Sequence, residues 1–290
     1  MKRISIIFFA LLLTGYYSIY AQTSPHEFSV FAAGGFAANC YQPTSKDVSS
    51  VGFSSDFGLG FTGFISQQIG FQIGAGFGLF NVKSKADDLS STVIGKLRDD
   101  SHPYDYDLYT TLSGYTEVHK TFFLQIPAMI QFQTKMKPSW DWTRSQKSGF
   151  YALTGIKVLF LVSNRYESNV AALYNAAYYP ELDNWAATQK FVGFGEFDEG
   201  YPATGKIDFG VMALFAFEAG MKWRISKTAF LYTGAFFDCG LNDPTKNSRQ
   251  PYSKYKSEKD LEDLTILKFA DKLNYMAGGI KIRIAFTYNQ

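Results

Sequence analysis

The sequence predicts an all-β protein, a transmembrane antiparallel β-barrel of about eight strands with long extracellular loops. Three observations carry this expectation. Apolar and polar residues alternate over stretches longer than the roughly five to six residues of an ordinary strand. The links between these stretches are short and long in turn. Aromatic residues gather at one end of the apolar faces. The composition agrees, with 28 Phe, 19 Tyr and 25 Gly in 290 residues.

The chain begins with Lys2 and Arg3, an apolar run from Ile6 to Leu13, and Ser18, Ile19, Tyr20 and Ala21 before Gln22. A basic start, a short apolar core and a small residue before the cut describe a secretory signal peptide. Residues 1–21 are expected to be removed, and residues 22–290 to form one barrel domain in the cell outer membrane. No later stretch reaches the roughly 20 apolar residues of a spanning helix.

Successive strand residues point to opposite faces. Residues 27–38 alternate weakly. In 51–65, Val51, Phe53, Phe57, Leu59, Phe61 and Ile65 oppose Ser54, Asp56, Thr62 and three glycines. In 69–81, Ile69, Phe71, Ile73, Ala75, Phe77 and Leu79 oppose Gln72 and four glycines. In 116–133, Val118, Phe122, Leu124, Ile126, Ala128, Ile130 and Phe132 oppose Glu117, His119, Thr121 and three glutamines. Residues 149–162 alternate weakly. In 207–225, Phe209, Val211, Phe215, Phe217 and Trp223 oppose Asp208, Glu218, Lys222 and Arg224. Residues 228–240 read as a strand of unfixed register. In 276–288, Ile280, Ile282, Ile284, Phe286 and Tyr288 oppose Lys281 and Arg283.

Each stretch is long enough for the roughly 9–11 residues of a tilted crossing strand. Short links at 66–68 and 226–227 alternate with long ones at 39–50, 83–114, 163–206 and 241–274; the link at 135–148, which the alternation would make short, is the imperfect case. Short periplasmic turns and long outer loops have this pattern, and an even strand count puts both termini in the periplasm. Phe132, Phe150, Trp223, Phe286 and Tyr288 fall near the periplasmic ends, where an interfacial girdle belongs. A soluble β-sandwich shares the alternation, but strand length, loop phase and the girdle favour the barrel.

Ten residues are expected to line the lumen: Asp56, Glu117, His119, Lys157, Asp208, Glu218, Lys222, Arg224, Lys281 and Arg283. An eight-stranded lumen is just wide enough for its own side chains, and buried charges must pair. The expectation is a self-neutralising plug, with Glu218 facing Lys281 or Arg283; the alternative is a narrow gated pore. Setting Lys2 and Arg3 aside, the 28 basic residues become 26, against 26 acidic ones. That balance gives no field to draw nucleic acid.

No catalytic, cofactor-binding or metal-binding set is expected. His119 shares a face with Glu117 and Thr121, but the pattern pairs no serine with it. Phosphate-loop and zincin motifs are lacking. Asp105, Asp107, Asp198 and Glu199 read as solvated loop acids.

Residues 120–132, KTFFLQIPAMIQF, resemble a strand of the Bacteroidetes outer-membrane β-barrel proteins, the porin-family or PorT-like group. Residues 149–157, GFYALTGIK, resemble the strand that follows it there. The resemblance implies an eight-stranded barrel and no single function. Pro127 removes a ladder donor, so a bulge or kink is expected beside it.

The 163–206 link is rich in aromatics, including Tyr174, Tyr178, Tyr179 and Trp185. It is expected to fold over the mouth, as a lid or as a surface for a protein or glycan partner. Ser257 to Leu273 carries a leucine stripe and a capping serine, which predicts a short amphipathic helix. Cys40 and Cys239 fall at outer strand ends and permit one disulfide if their Cα atoms come within about 7 Å; otherwise they are inert thiols. The remaining expectations are outer-membrane lipid as the surrounding partner and a monomeric state.

Overall fold

The structure, a computed structural model, describes residues 26–43, 48–98, 104–136, 147–197, 200–207, 210–245, 254–257, 260–262, 265–268 and 270–288. The expected signal peptide and Asp208 lie outside these residues. In chain order the strands are β1 (His26–Pro43), β2 (Val48–Phe64), β3 (Ile69–Arg98), β4 (Asp105–Gln133), β5 (Ser148–Val170), β6 (Ala172–Tyr179) and β7 (Asn184–Ala186). They continue as β8 (Gly195–Phe197), β9 (Tyr201–Lys206), β10 (Met212–Arg224), β11 (Ala229–Gly240), β12 (Lys254–Ser257), β13 (Asp260–Glu262) and β14 (Ala270–Tyr288). Among the described residues no helix is long and apolar enough to cross a membrane.

Eight antiparallel strands close a ring in the order β1, β2, β3, β4, β5, β10, β11, β14 and back to β1. Closure leaves the wall no free edge. Val30 and Phe36 of β1, Phe71 and Phe77 of β3, and Ile282 and Phe286 of β14 are exposed, while alternate residues are buried. A soluble sandwich would bury these side chains. Here they form an outward apolar band, and the chain is a transmembrane β-barrel.

The upper border of the band can be read along the strands. Outward residues on β3 run Ile69, Phe71, Ile73, Ala75, Phe77 and Leu79, then change to Asn81, Lys83, Lys85 and Asp87. On β4 the change is from Phe122 to Lys120, and on β5 from Val162 to Arg165. At about 3.4 Å per residue and a tilt near 40°, Ile69 to Leu79 spans about 25 Å, the height of such a band. The turns at 65–68 and 225–228 and the ends at His26 and Tyr288 share the lower rim. The predicted girdle residues Phe132, Phe150, Trp223 and Phe286 are all exposed there.

Several expectations need correction. The 83–114 link is not a loop, because β3 and β4 continue through it as 30- and 29-residue strands. Above the band their outward residues turn polar, which erases the apolar alternation that marks a strand. The 163–206 link likewise begins as β5 and continues as β6 to β9. Ile207 and Val211, read as part of a strand, lie outside β9 and β10.

The helix expected over 257–273 does not form. β12 and β13 make a hairpin, Ile266–Lys268 a single 3-10 turn, and 270–273 the start of β14 on β1. An isolated helix of that length is marginal, and pairing with β1 takes its last four residues. No bulge forms at Pro127. The β3–β4 register is the same on both sides, Ile73 with Ala128 and Gly76 with Gln125, and only the pairs between are missing. The absent N–H faces β3, while Pro127 stays in register with Lys157 on β5. The nearest bulge is five residues away, at Phe122/Phe123 opposite β5.

Candidate functional site

The lumen is built in tiers. Near the lower rim, Lys222 Nζ donates to Glu27 Oε1 at 2.7 Å and to Gln133 Oε1 at 3.0 Å. The Tyr232 hydroxyl donates to Glu27 Oε2 at 2.5 Å. Arg283 Nη2 donates to Gln131 Oε1 at 3.0 Å, and its guanidinium lies 4.0 Å from the centre of the Tyr232 ring. Above this tier, Lys281 Nζ and Glu218 Oε2 are 2.7 Å apart, and the Tyr151 hydroxyl donates to Glu218 Oε1 at 2.8 Å. Next, Lys157 Nζ pairs with Asp238 Oδ2 at 2.7 Å, and Gln125 Nε2 donates to Asp56 Oδ2 at 2.7 Å. These charges are buried, so they are tolerated only as partners.

An apolar tier seals the lumen above the charges. Phe80 lies 4.2 Å from Phe123 and 4.1 Å from Tyr275, centroid to centroid. Leu159, Leu214 and Phe236 pack into the same cluster. Inward glycines make the room: a Cβ on Gly78 would sit 2.4 Å from Phe123 Cζ, and one on Gly58 2.5 Å from Phe31 Cζ. Beneath the rings a cavity of about 10 Å³, touching Asp56 and Asp238, has room for about one water.

Above the apolar tier, Glu117 ties β4 to the last outer segment. It accepts from the Thr265 hydroxyl at 3.2 Å and the Ile266 N–H at 3.1 Å, and it is bonded by Tyr115 and His119. Leu89, Leu112, Val170, Leu173, Phe197 and Ile266 roof it. Glu117→Ala orphans the Ile266 N–H, a loss of about 1–3 kcal/mol. The expected result is faster tryptic cleavage at Lys268 on intact cells; unchanged cleavage would mean other contacts hold the segment.

The upper sheet presents aromatic rings. Above Ser113, β6 replaces β5 beside β4, and β7 and β8 pair with β6. Trp185, 53% exposed, stands between Tyr109 and Tyr178, with centroids 5.0 and 4.9 Å away. Tyr174 is exposed on the same sheet, and Tyr179 packs on Tyr106. The Tyr178 hydroxyl donates to Asp183 at 2.7 Å, and that bond pushes its phenol pKa above the ordinary value.

Of the expected lumen set, Asp56, Lys157, Glu218, Lys222, Lys281 and Arg283 lie in the tiers below the aromatic seal, Glu117 and His119 lie above it, and half-buried Arg224 stands over the Phe230 ring near the lower rim. Glu218 meets Lys281, one of its two expected partners. Sequence reasoning missed Glu27 and Asp238, the acids that neutralise Lys222 and Lys157. Both sit on strands with weak alternation; the signal was parity with Ser29 and Phe31 on β1 and with Tyr232 and Phe236 on β11. Cys40 and Cys239 are free thiols. They flank β14, in register with Asn274 and Met276. Two strand spacings of about 4.8 Å hold their Cα atoms near 10 Å, beyond bridging distance.

No family model matches the chain, and no curated protein matches it. Among solved structures it is similar to the Neisserial surface protein A, at 9% identity and a TM-score of 0.30, over 89% of this chain and 96% of that one. It is also similar to the outer membrane protein OprG from Pseudomonas aeruginosa, at 12% identity and a TM-score of 0.29, over 90% and 96%. A third is Ail, the attachment invasion locus protein of Yersinia pestis, at 8% identity and a TM-score of 0.26, over 90% and 98%. Likeness of this degree carries no argument about activity; the fold rests on the closed ring and its outward band.

Proposed function

We propose that this protein is a closed outer-membrane barrel that holds an extracellular β-sheet as a recognition surface for a protein or glycan, neither conducting solute nor catalysing a reaction. The observation that carries the reading is the seal of Phe80, Phe123 and Tyr275 across a lumen already filled by paired charges. A dry apolar constriction resists ion passage. The strands continue past this seal for about 40 Å, from Phe122 to Tyr109 on β4, at roughly 3.4 Å per residue. A barrel that closes its pore and extends its wall outward is built for presentation. His119 and Glu117 are buried under an apolar roof, away from any lipid substrate, which supports a structural role for both.

Purified protein in a planar bilayer is expected to give no current steps; regular single-channel steps would overturn the closed reading. On a glycan array, wild type is expected to bind a subset of sugars and Trp185→Ala to lose at least about tenfold of that signal, since an exposed aromatic anchor commonly carries more than 1.4 kcal/mol. Undiminished binding by Trp185→Ala would sink the aromatic surface as the contact. Export is proposed to be directed by residues 1–21 and completed by cleavage after Ala21, so N-terminal sequencing of the membrane form should begin at Gln22. A relation to the Bacteroidetes porin-like group is likewise a proposal, supported by the resemblance of residues 120–132 and 149–157 to two of its strands.

A further inference from the structure

We infer that the outer wall of β3, β4, β5 and β9, just above the apolar band, binds the phosphate-bearing headgroup of an outer-leaflet lipid. Lys120 is in register with Arg165, and Arg165 with Lys206. Three cations therefore stand side by side on adjacent strands, with backbones about 5 Å apart. All three are exposed. Like charges directly opposite each other destabilise a sheet, and two more, Lys83 and Lys85, stand outward on β3. Among the described residues the row has one anionic contact, Glu167 Oε1 at 2.8 Å from Lys120 Nζ. That pair is more than half exposed and worth little. Arg165 and Lys206 have no acidic partner among the described residues.

Height and side identify the occupant. These are the first charged residues above Leu79, Phe122 and Val162, the level at which headgroups sit over acyl chains held by the band. On the far side of the wall the first outward positions are uncharged, Ala38 and Cys40 on β1, Asn274 and Met276 on β14, Cys239 on β11 and Ala213 on β10, and the next one on β14, Lys272, is a single cation with neutral Gln42 opposite it. A general solubilising collar would circle the barrel, whereas this cluster occupies one sector. A guanidinium flanked by two ammonium groups matches a phosphate in charge and in hydrogen-bond geometry. The outer-leaflet assignment rests on the orientation proposed above, with the long strands outside.

The test uses the whole protein in phosphatidylcholine nanodiscs doped with bis-phosphorylated lipid A or with its dephosphorylated form. Lipid retained after detergent release is counted by native mass spectrometry. Wild type is expected to retain the phosphorylated form about tenfold better, and Lys120→Gln/Arg165→Gln/Lys206→Gln to lose that preference, each basic group near anionic lipid being worth a severalfold change. Lys227→Gln, at the opposite rim, is expected to leave it intact. Arg165→Gln alone is expected to lose part of it, which keeps the test open should the triple variant fail the heat-shift check for folding. Equal retention of the two lipids, equal retention by wild type and triple variant, or full displacement by millimolar inorganic phosphate would overturn the proposal. Protease shaving of intact cells reports the orientation separately: protection of the β6–β9 segment would refute the outside placement and leave the binding result standing.

Discussion

Glu218→Ala is expected to remove about 3–5 kcal/mol of barrel stability, because it strands a buried ammonium in the lumen. Glu218 is 1% exposed and Lys281 is 4% exposed, so water does not replace the lost partner. The same change frees the Tyr151 hydroxyl, which donates to Glu218. Replacing the whole pair, Glu218→Leu with Lys281→Met, is expected to recover most of the loss, since the penalty belongs to the unpaired charge. Urea unfolding in lipid vesicles, followed by the folded and unfolded bands on an unboiled gel, measures both. A loss under about 1 kcal/mol for the single variant would show that water or a neighbouring acid reaches Lys281, and that the lumen is wetter than its packing implies.

Phe80→Ala tests the seal. Phe80 packs between Phe123 and Tyr275 at near contact, so truncation leaves a cavity and a loss of about 3–5 kcal/mol. The hole opens toward the small cavity that Asp56 and Asp238 help to line, so water is expected to enter. Current is not expected, because the Lys157–Asp238, Lys281–Glu218 and Lys222–Glu27 pairs still bridge the lumen below. Bilayer recording of Phe80→Ala separates two designs. Silence means closure in several tiers. Steady conductance would make the aromatic tier the sole gate and revive the narrow-channel reading.

The sequence was most legible where the membrane imposed a pattern. Between Ile69 and Leu79 a strand must put one side chain in two against lipid, so its period survives in the residue types. The same demand turned the charges inward, which is why Lys281, Arg283, Lys157 and Glu218 could be placed from parity alone. Above the band the solvent side has no such demand. Lys83, Lys85 and Asp87 then read as loop although the ladder continues beneath them. The helix expected near Leu261 failed for a related reason: a local stripe competes with β1 and Glu117, and neither partner is visible in that stretch. Pairing across the lumen was legible only as a requirement. Asp238 and Glu27 were needed by charge balance, but their strands carry aromatic or small residues on both faces, which hides the register. The bulge opposite Phe122 had no sequence signal that we recognise.

The single register that β3 and β4 keep from Ile69 in the band to Val93 in the upper sheet has a mechanical consequence. β3 and β4 are hydrogen-bonded to each other over most of their length, and their lower halves are bonded to β2 and β5. A tug on the tip along the strands loads those lower bonds together in shear, instead of peeling them one at a time. The register does not slip at Gly114, where the backbone turns to a φ of 63°, so tension applied by a tethered partner would pass into the barrel wall and be shared with the bilayer. A flexible loop bearing the same rings would stretch first and transmit little.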